Sequence, residues 1–356
     1  MDIKMAILGN ERMTPRIVRL IAEIDEFKGY WKGMATLSAN FLTNLRILAT
    51  IESIGSSTRI EGAKLSDSEV SALLKGIGRR SFRSRDEQEV AGYAEALQLV
   101  QESCDEIDLT ENNIKYLHKV LLKFSDKDAW HLGGYKKHPN HVAAFDANGR
   151  EIGILFETAS PFDTPQRMES LVTATRKNLK DADTHPLTAI ADFIVRFLAI
   201  HPFQDGNGRL SRVLTNLLLL RSGYAFVQYS SHESMVEADK DKYYLALRTA
   251  QKALVSGEKS PEIWTAFFLE MLKKQKDHLL KKIEREKIAH ALPDVSIQIL
   301  NLAKEHGRIT VSFVTNVLQV NRNTVKKHFQ HLVRTEKLIL HGKGRGSYYS
   351  PFTRGY

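Results

Sequence analysis

The sequence predicts a mainly α-helical protein with one β-hairpin on its body and a small basic helical module at its C-terminal end. Three observations carry this reading. Apolar residues recur at three- and four-residue spacing along most of the 356 residues. Asn148-Gly149 stands between two apolar segments, the strongest short hairpin signal because both residues tolerate positive φ. The charge is uneven: Ala291 to Tyr356 holds ten Lys/Arg against three Asp/Glu, which is most of the net +9.

The elements follow in order. Residues 15–27 and 38–54 have helical periodicity. The second helix carries Leu42, Leu45, Ile47, Leu48, Ile51 and Ile54 and runs toward Gly62, which is placed to cap it. Ser66 and Glu69 form a capping box for a helix over 67–75. Arg79 to Arg85 is a basic loop. A long helix starts near Asp86 with Val90, Tyr93, Ala94 and Leu97, and another covers 110–124. The hairpin lies within 141–157, with its turn at Asp146-Ala147-Asn148-Gly149. A two-stranded ribbon is marginal alone, so it needs packing support or a partner. Helices resume at 165–179 and at Pro186, whose fixed φ suits a first helical turn. His201-Pro202 ends that apolar helix, and a second one covers 208–221 up to Gly223. Helices at 241–254 and 261–288 follow, the latter Lys-rich after Leu272.

From Val295 come helices 295–305, 311–318 and 322–336. Leu338-Ile339-Leu340, a glycine-rich tip at 342–346 and Ser347-Tyr348-Tyr349 complete the pattern. Three helices and a basic hairpin describe a winged helix-turn-helix. The expected division is an N-terminal helical region at 1–85, a core at 86–255, a connecting helix at 256–290 and the winged-helix module at 291–356.

Composition sets bounds. A hydrophobic share of 42% and a charged share of 26% suit a folded chain with a sizeable core. No apolar run is long enough to span a bilayer, and Met1-Asp2-Ile3-Lys4 has no signal-peptide profile. No membrane partner is expected. One cysteine, Cys104, excludes an internal disulfide framework and a cysteine-based zinc site, so a cytoplasmic protein is expected. The sequence pI of about 9.4 permits nucleic-acid contact.

The chemistry concentrates in His201-Pro202-Phe203-Gln204-Asp205-Gly206-Asn207-Gly208-Arg209-Leu210-Ser211-Arg212. A histidine at the end of a buried helix changes charge near neutral pH. Glycines at a helix mouth let backbone N–H groups converge on an anion. Asp205 offers a hard oxygen suited to Mg²⁺. Arg209 and Arg212, three apart on one face, aim two guanidinium forks at one polyphosphate. Together these parts form a phosphoryl-transfer site.

This segment resembles the signature of the Fic family, His-Pro-Phe-x-Asp/Glu-Gly-Asn-Gly-Arg-x-x-Arg, and matches every defined position. The similarity extends to Glu89-Val90 with Tyr93 and Ala96-Leu97, to Gly134-Tyr135-Lys136 and to Tyr243-Tyr244, over roughly residues 40–255. The resemblance implies a Fic-type helical bundle with a β-hairpin flap. It implies transfer of AMP from ATP-Mg²⁺ to a Ser, Thr or Tyr hydroxyl of a target protein, or of the chain itself. His201 would be the general base, which must be neutral to act. Asp205 would hold Mg²⁺. Gly206, Asn207 and Gly208 would cradle phosphates, with Leu210 and Ser211 in the same nucleotide-binding stretch. Arg209 would hold the β-phosphate and Arg212 the γ-phosphate. Tyr243, Tyr244 and Gln251 would line the adenine side, although asparagine is expected at position 251. Flap contacts with the nucleotide are placed at Phe156, Glu157 and Thr158, and the flap would align the target by strand addition.

Ser57-Thr58-Arg59-Ile60-Glu61-Gly62 is similar to the family's inhibitory motif, Ser/Thr-x-x-x-Glu-Gly/Asn. By that resemblance Glu61 would pair with Arg212 in a bidentate contact and deny the γ-phosphate its place. In some relatives the same glutamate assists removal of AMP. In the C-terminal module, Arg322, Asn323, Thr324, Lys326 and Lys327 open the recognition helix, and Lys343 and Arg345 form the wing. DNA and protein remain alternative partners for that module. Two other readings stay open: a transcriptional regulator whose core senses a nucleotide, and a transferase that uses another donor such as UTP. Oligomeric state, a homodimer included, is left open.

Overall fold

The computed structural model describes residues 14–34, 37–76, 82–145, 151–256, 262–290, 294–342 and 344–352. At 141–145, 151–157, 256, 286–290, 294 and 345 it describes the backbone only. The chain falls into two compact units, Met1–Leu279 and Leu280–Tyr356.

In the first unit α1 (Pro15–Lys32) and α2 (Ala39–Ile60) come first, each longer than its periodicity alone predicts. Helix α1 continues past Phe27 because Trp31 packs on Tyr229, 4.9 Å between ring centres. Helix α2 continues to Ile60, so Glu61 becomes its C-cap residue, followed by Gly62 at φ +106°. The capping box of α3 (Asp67–Leu74) forms as expected: Glu69 N–H donates to Ser66 Oγ and Ser66 N–H to Glu69 Oε2. Helices α4 (Arg85–Ser103) and α5 (Glu111–Leu121) approach closely at Gly92. A Cβ there would stand 1.9 Å from the Leu121 carbonyl oxygen.

The hairpin is β1 (His141–Phe145) antiparallel to β2 (Glu151–Glu157), with register irregularities after Val142 and after Ala144. Such bulges add local twist to a ribbon. The expected turn at 146–149 lies outside the described residues. Next comes α6 (Thr164–Asn178), then α7 (Pro186–Ile200) and α8 (Asn207–Arg221). Helices α7 and α8 are buried along almost their whole length. Helix α7 is apolar on most sides, as suits a helix inside a domain, whereas α8 also buries polar side chains, Arg209 and Arg212 among them. Around the two helices pack α4, α5, α6 and α2. The short α9 (His232–Ala238), which the periodicity did not reveal, packs against α2. Helix α10 (Lys240–Ser256) lies against α7 and β2, and α11 (Glu262–His290) carries the chain out of this unit. Near its start Trp264 Nε1 donates to the Ala191 carbonyl at 2.8 Å.

The second unit holds α12 (Asp294–His306), α13 (Val311–Leu318), α14 (Arg322–Arg334) and an antiparallel pair, β3 (Leu338–His341) with β4 (Tyr348–Pro351). Its core is Ile299, Ala303, Ile309, Val314, Val325, Phe329, Leu332 and Leu338. Thr310 and Asn321 cap α13 and α14 with their side-chain oxygens. Helix α14 ends at Arg334, two residues earlier than expected, and Glu336 has φ +53°.

Candidate active site

The segment joining α7 to α8 is held from several sides. Helix α7 stops because His201 turns left-handed, with φ 52° and ψ 61°, while its N–H still bonds to the Phe197 carbonyl at 2.8 Å. Gly206 opens α8 at φ +80°, a value glycine adopts without steric cost. Asn207 spans the loop: its Oδ1 accepts from Phe203 N–H at 2.9 Å and its Nδ2 donates to the Phe203 carbonyl at 2.7 Å. The Asn207 side chain is therefore committed to the loop, and what it offers a phosphate is its backbone. His118 of α5 stacks on Phe203 at 3.9 Å. Its Nδ1 accepts from Gly133 N–H at 3.0 Å, so Nε2 carries the proton and donates to the Asp205 carbonyl at 3.0 Å. Burial pushes the His118 imidazole down to about 4.

The His201 ring is also kept neutral. Its Nδ1 lies 3.3 Å from the Leu198 carbonyl, which can only accept, so Nδ1 holds the proton and Nε2 keeps a lone pair. Burial, assisted by the nearby Lys136 charge, brings the imidazole down to about 4. Asp205 has two neighbours of opposite charge, Arg85 Nη2 at 3.0 Å from Oδ2 and Arg209 Nη2 at 3.5 Å from Oδ1. Burial pushes its carboxyl up, but Arg209, the Gly206 N–H and Arg85 outweigh that and leave it below the usual range.

The two arginines of the signature engage different carboxylates. Arg209, only 2% exposed, lies with Nη1 3.0 Å from Glu89 Oε2. Arg212 gives Nε to Ser57 Oγ at 2.7 Å and Nη2 to both the Ser57 carbonyl at 2.9 Å and Glu61 Oε1 at 2.7 Å. The Glu61 contact is thus single-pronged rather than bidentate, because Ser57 takes the Nε edge of the fork. The Glu61 carboxylate rests on the first turn of α8: a Cβ on Gly208 would meet Glu61 Oε1 at 2.1 Å. A negative group is favoured there by the free N–H groups and the helix dipole. Behind Glu61, Arg59 grips Glu237 with Nε at 2.7 Å and Nη2 at 3.0 Å, and Asp67 with Nη1 at 2.9 Å. Behind Arg212, the fully buried Glu233 accepts from Tyr93 at 2.9 Å and from Asn216 at 2.8 Å.

The remaining expected residues are less uniform. Leu210 is wholly buried, and the Ser211 hydroxyl donates to the Gly208 carbonyl at 2.7 Å. Tyr243 packs on Tyr244, Trp264 and Phe267, and Tyr244 donates to the Ile60 carbonyl at 3.4 Å. Gln251 is buried, with neither amide atom hydrogen-bonded among the described residues. The Phe156 and Glu157 side chains lie outside the described residues, whereas Thr158 bonds at the hairpin base to Lys136 and Asn140. In the second unit Arg322, Asn323, Thr324, Lys326 and Lys327 are all exposed along the start of α14. Lys343 lies outside the described residues, and Arg345 is described by its backbone alone.

Sequence reasoning assigned no role to His118, Arg85, Lys136 or Glu233, although Lys136 lies in the Gly134-Tyr135-Lys136 segment quoted for the resemblance. The four-residue spacing of Arg85 and Glu89 was a usable signal, and those two residues are paired at 2.7 Å. Among the described residues no group of three or more His, Cys, Asp or Glu forms a metal cage. Mg²⁺ needs no such cage when a nucleotide supplies its own oxygens, so one carboxylate beside an anion-binding turn fits it.

The chain is similar to several known proteins. Residues 108–219 match the Fic/DOC family model. A protein named protein adenylyltransferase Fic from Drosophila melanogaster is 27% identical over 207 residues, which is 57% of this chain and 38% of that protein. A Fido domain-containing protein from Dictyostelium discoideum is 33% identical over 100 residues, 27% of this chain and 66% of that one. The chain thus spans well under half the length of the fruit-fly relative. The crystal structure of a Fic family protein from Desulfovibrio desulfuricans superposes with a TM-score of 0.61 at 23% identity, covering 97% of this chain and 98% of that one. At that identity the likeness is one of fold.

Proposed function

We propose that this chain, whose residues 108–219 belong to the Fic/DOC family, is a protein adenylyltransferase that Glu61 holds in check. The observation that carries the reading is the Glu61 carboxylate on the first turn of α8, 2.7 Å from Arg212, near a neutral His201. In the reaction a target hydroxyl oxygen attacks the α-phosphorus of ATP. The bond to the bridging oxygen breaks and pyrophosphate leaves. The hydroxyl proton passes to His201 Nε2, whose lone pair is free. Arg212 would meet the γ-phosphate once Glu61 yields, and Arg209 the β-phosphate. Asp205 would hold Mg²⁺ together with the phosphates, after Arg85 gives up Oδ2, and the bound ion would neutralise charge on the leaving pyrophosphate. The names of the relatives support AMP as the transferred group. Glu61 would also serve removal of AMP, a hydrolysis in which water attacks the phosphorus and the target hydroxyl leaves.

A second activity is favoured by a separate observation. Five polar or basic residues, Arg322 to Lys327 without the buried Val325, project from the start of α14 on a core of three helices and a hairpin. That face suits the phosphates and base edges of duplex DNA, as in a winged helix-turn-helix.

The test is incorporation of label from ATP carrying it on the α-phosphate, with Mg²⁺, into the chain itself or into lysate proteins. A Glu61→Gly background should show it, and His201→Ala in that background should abolish it while nucleotide binding persists. Label arriving only from the γ-phosphate, or only from UTP, would replace AMP by another transferred group. Transfer within a few-fold of the parent after His201→Ala would remove the histidine from its role.

A further inference from the structure

The ammonium of Lys136 joins three segments that the reaction must keep in register. Nζ donates to Asn140 Oδ1 at 2.8 Å, to Thr158 Oγ1 at 2.9 Å and to the Ile200 carbonyl at 3.0 Å. Asn140 is the residue before β1, Thr158 the residue after β2 and Ile200 the residue before His201. The Lys136 backbone N–H bonds in addition to the Pro202 carbonyl at 2.8 Å. Asn140 Nδ2 donates onward to the Phe203 carbonyl at 2.8 Å, and the Thr158 hydroxyl returns to the Asn140 carbonyl at 2.7 Å. Both ends of the hairpin are therefore tied to the loop that carries His201, through a side chain that is 3% exposed.

All three acceptors of Nζ are neutral. Among the described residues no carboxylate is paired with it. Burying a cation without a counter-charge is unfavourable, and burial pulls the Lys136 ammonium down to about 8, with Arg167 of α6 adding to the effect. The three donors of an ammonium match these three acceptors, whereas an amide has two donors and a hydroxyl one. The charge acts on a neighbour. Apart from burial, the charged groups felt by the His201 ring are Lys136, which opposes protonation, and Glu61 and Asp205, which favour it.

We propose that Lys136 is a positioning residue for the transfer reaction: it fixes the hairpin base against the His201 loop, and its positive charge adds to burial in disfavouring a proton on that histidine. The claim rests on the adenylyltransferase reading for its activity arm only, because the state of His201 can be followed without turnover.

The test is an NMR titration of the His201 imidazole in the full chain, paired with the pH profile of transfer in a Glu61→Gly background. Lys136→Gln removes the charge but keeps two donors. It should raise the His201 titration midpoint by about one unit, a tenfold change in proton affinity, and move the acid limb of the rate profile up with it. Lys136→Arg should leave the midpoint near its parent value. Thr158→Val keeps the charge and cuts one tie, so it should speed amide exchange at the hairpin base without moving the His201 midpoint. Should Lys136→Gln fail to fold, Lys136→Met carries the same expected direction. A folded, uncharged variant whose His201 titrates where the parent does overturns the proposal. If no variant transfers AMP, the adenylyltransferase reading falls, and the titration still decides the role of Lys136.

Discussion

Replacing Glu61 by glycine removes one acceptor from Arg212 and clears the first turn of α8. The size of the effect can be worked from the contact. The bond is charge-assisted and 2.7 Å long, the Arg212 side chain is 5% exposed, and that of Glu61 is 33% exposed. Hydrogen bonds to charged groups contribute about 1.5–3 kcal/mol, and partial exposure places this one toward the lower end. Taking about 2 kcal/mol, displacement of Glu61 by a γ-phosphate becomes easier by roughly thirtyfold. Transfer of α-labelled AMP should rise by that order, with only a modest gain in ATP affinity, since the adenine and β-phosphate contacts do not involve Glu61. Glu61→Gln, which keeps an oxygen but loses the charge, should fall between. Arg212 retains both Ser57 contacts, so the fold should lose no more than about 1–2 kcal/mol. Arg212→Ala should not mimic the release, because it removes the partner of the γ-phosphate along with the brake, and the double variant should resemble it. The assay is initial-rate labelling at saturating ATP-Mg²⁺ beside a thermal melt. An unchanged rate on every protein tested, self-modification included, would refute the reasoning and leave Glu61 a structural carboxylate.

Other consequences are open to measurement. Gly92→Ala should destabilise the first unit by about 3 kcal/mol, because the added methyl meets a backbone carbonyl that cannot swing aside; a melting temperature within a degree of the parent would contradict the close packing of α4 and α5. His118, His201 and His232 all titrate near 4 in the fold, below the unfolded value of about 6.5, because burial disfavours the imidazolium. Their neutral forms therefore support stability in full above about pH 6.5, and that support is lost as pH falls toward 4. Denaturant melts should weaken over this window, and His232→Leu should flatten the dependence; equal slopes in both proteins would argue against it. If α14 meets DNA phosphates through Arg322, Lys326 and Lys327, the logarithm of affinity should fall against the logarithm of salt with a slope of about −3 or steeper. Lys326→Gln with Lys327→Gln should make it shallower by about two, whereas salt-independent binding, or none to any duplex, would favour a protein partner.

Much of the fold was legible because its signals are local. Pro186, the capping box at Ser66 and Glu69, and the apolar runs of α7 and α8 each depend on a few neighbouring residues. The signature from His201 to Arg212 was legible for the same reason, since α7 and α8 bring its parts together along one short stretch. What escaped is what only the folded chain can bring together. Lys136 was noted only as part of Gly134-Tyr135-Lys136, and its role comes from three acceptors at positions 140, 158 and 200. Glu233 sits in a helix of seven residues, too short to show a period, and its donors come from α4 and α8. The single-pronged contact of Glu61 was hidden because Ser57, read as part of a motif, takes one edge of the arginine itself.

His201 stands where the backbone turns left-handed, a conformation that costs a residue with a Cβ roughly 1 kcal/mol and costs glycine nothing. The centre of the site is thus a place where folding and chemistry disagree. A glycine at position 201 would relieve that strain but would empty the space of a buried imidazole, and the two effects oppose each other. Such a variant would keep the nucleotide cradle of α8 and lack the base that transfer needs. A screen that ranks variants of this protein by stability alone is therefore blind to the chemistry at this position.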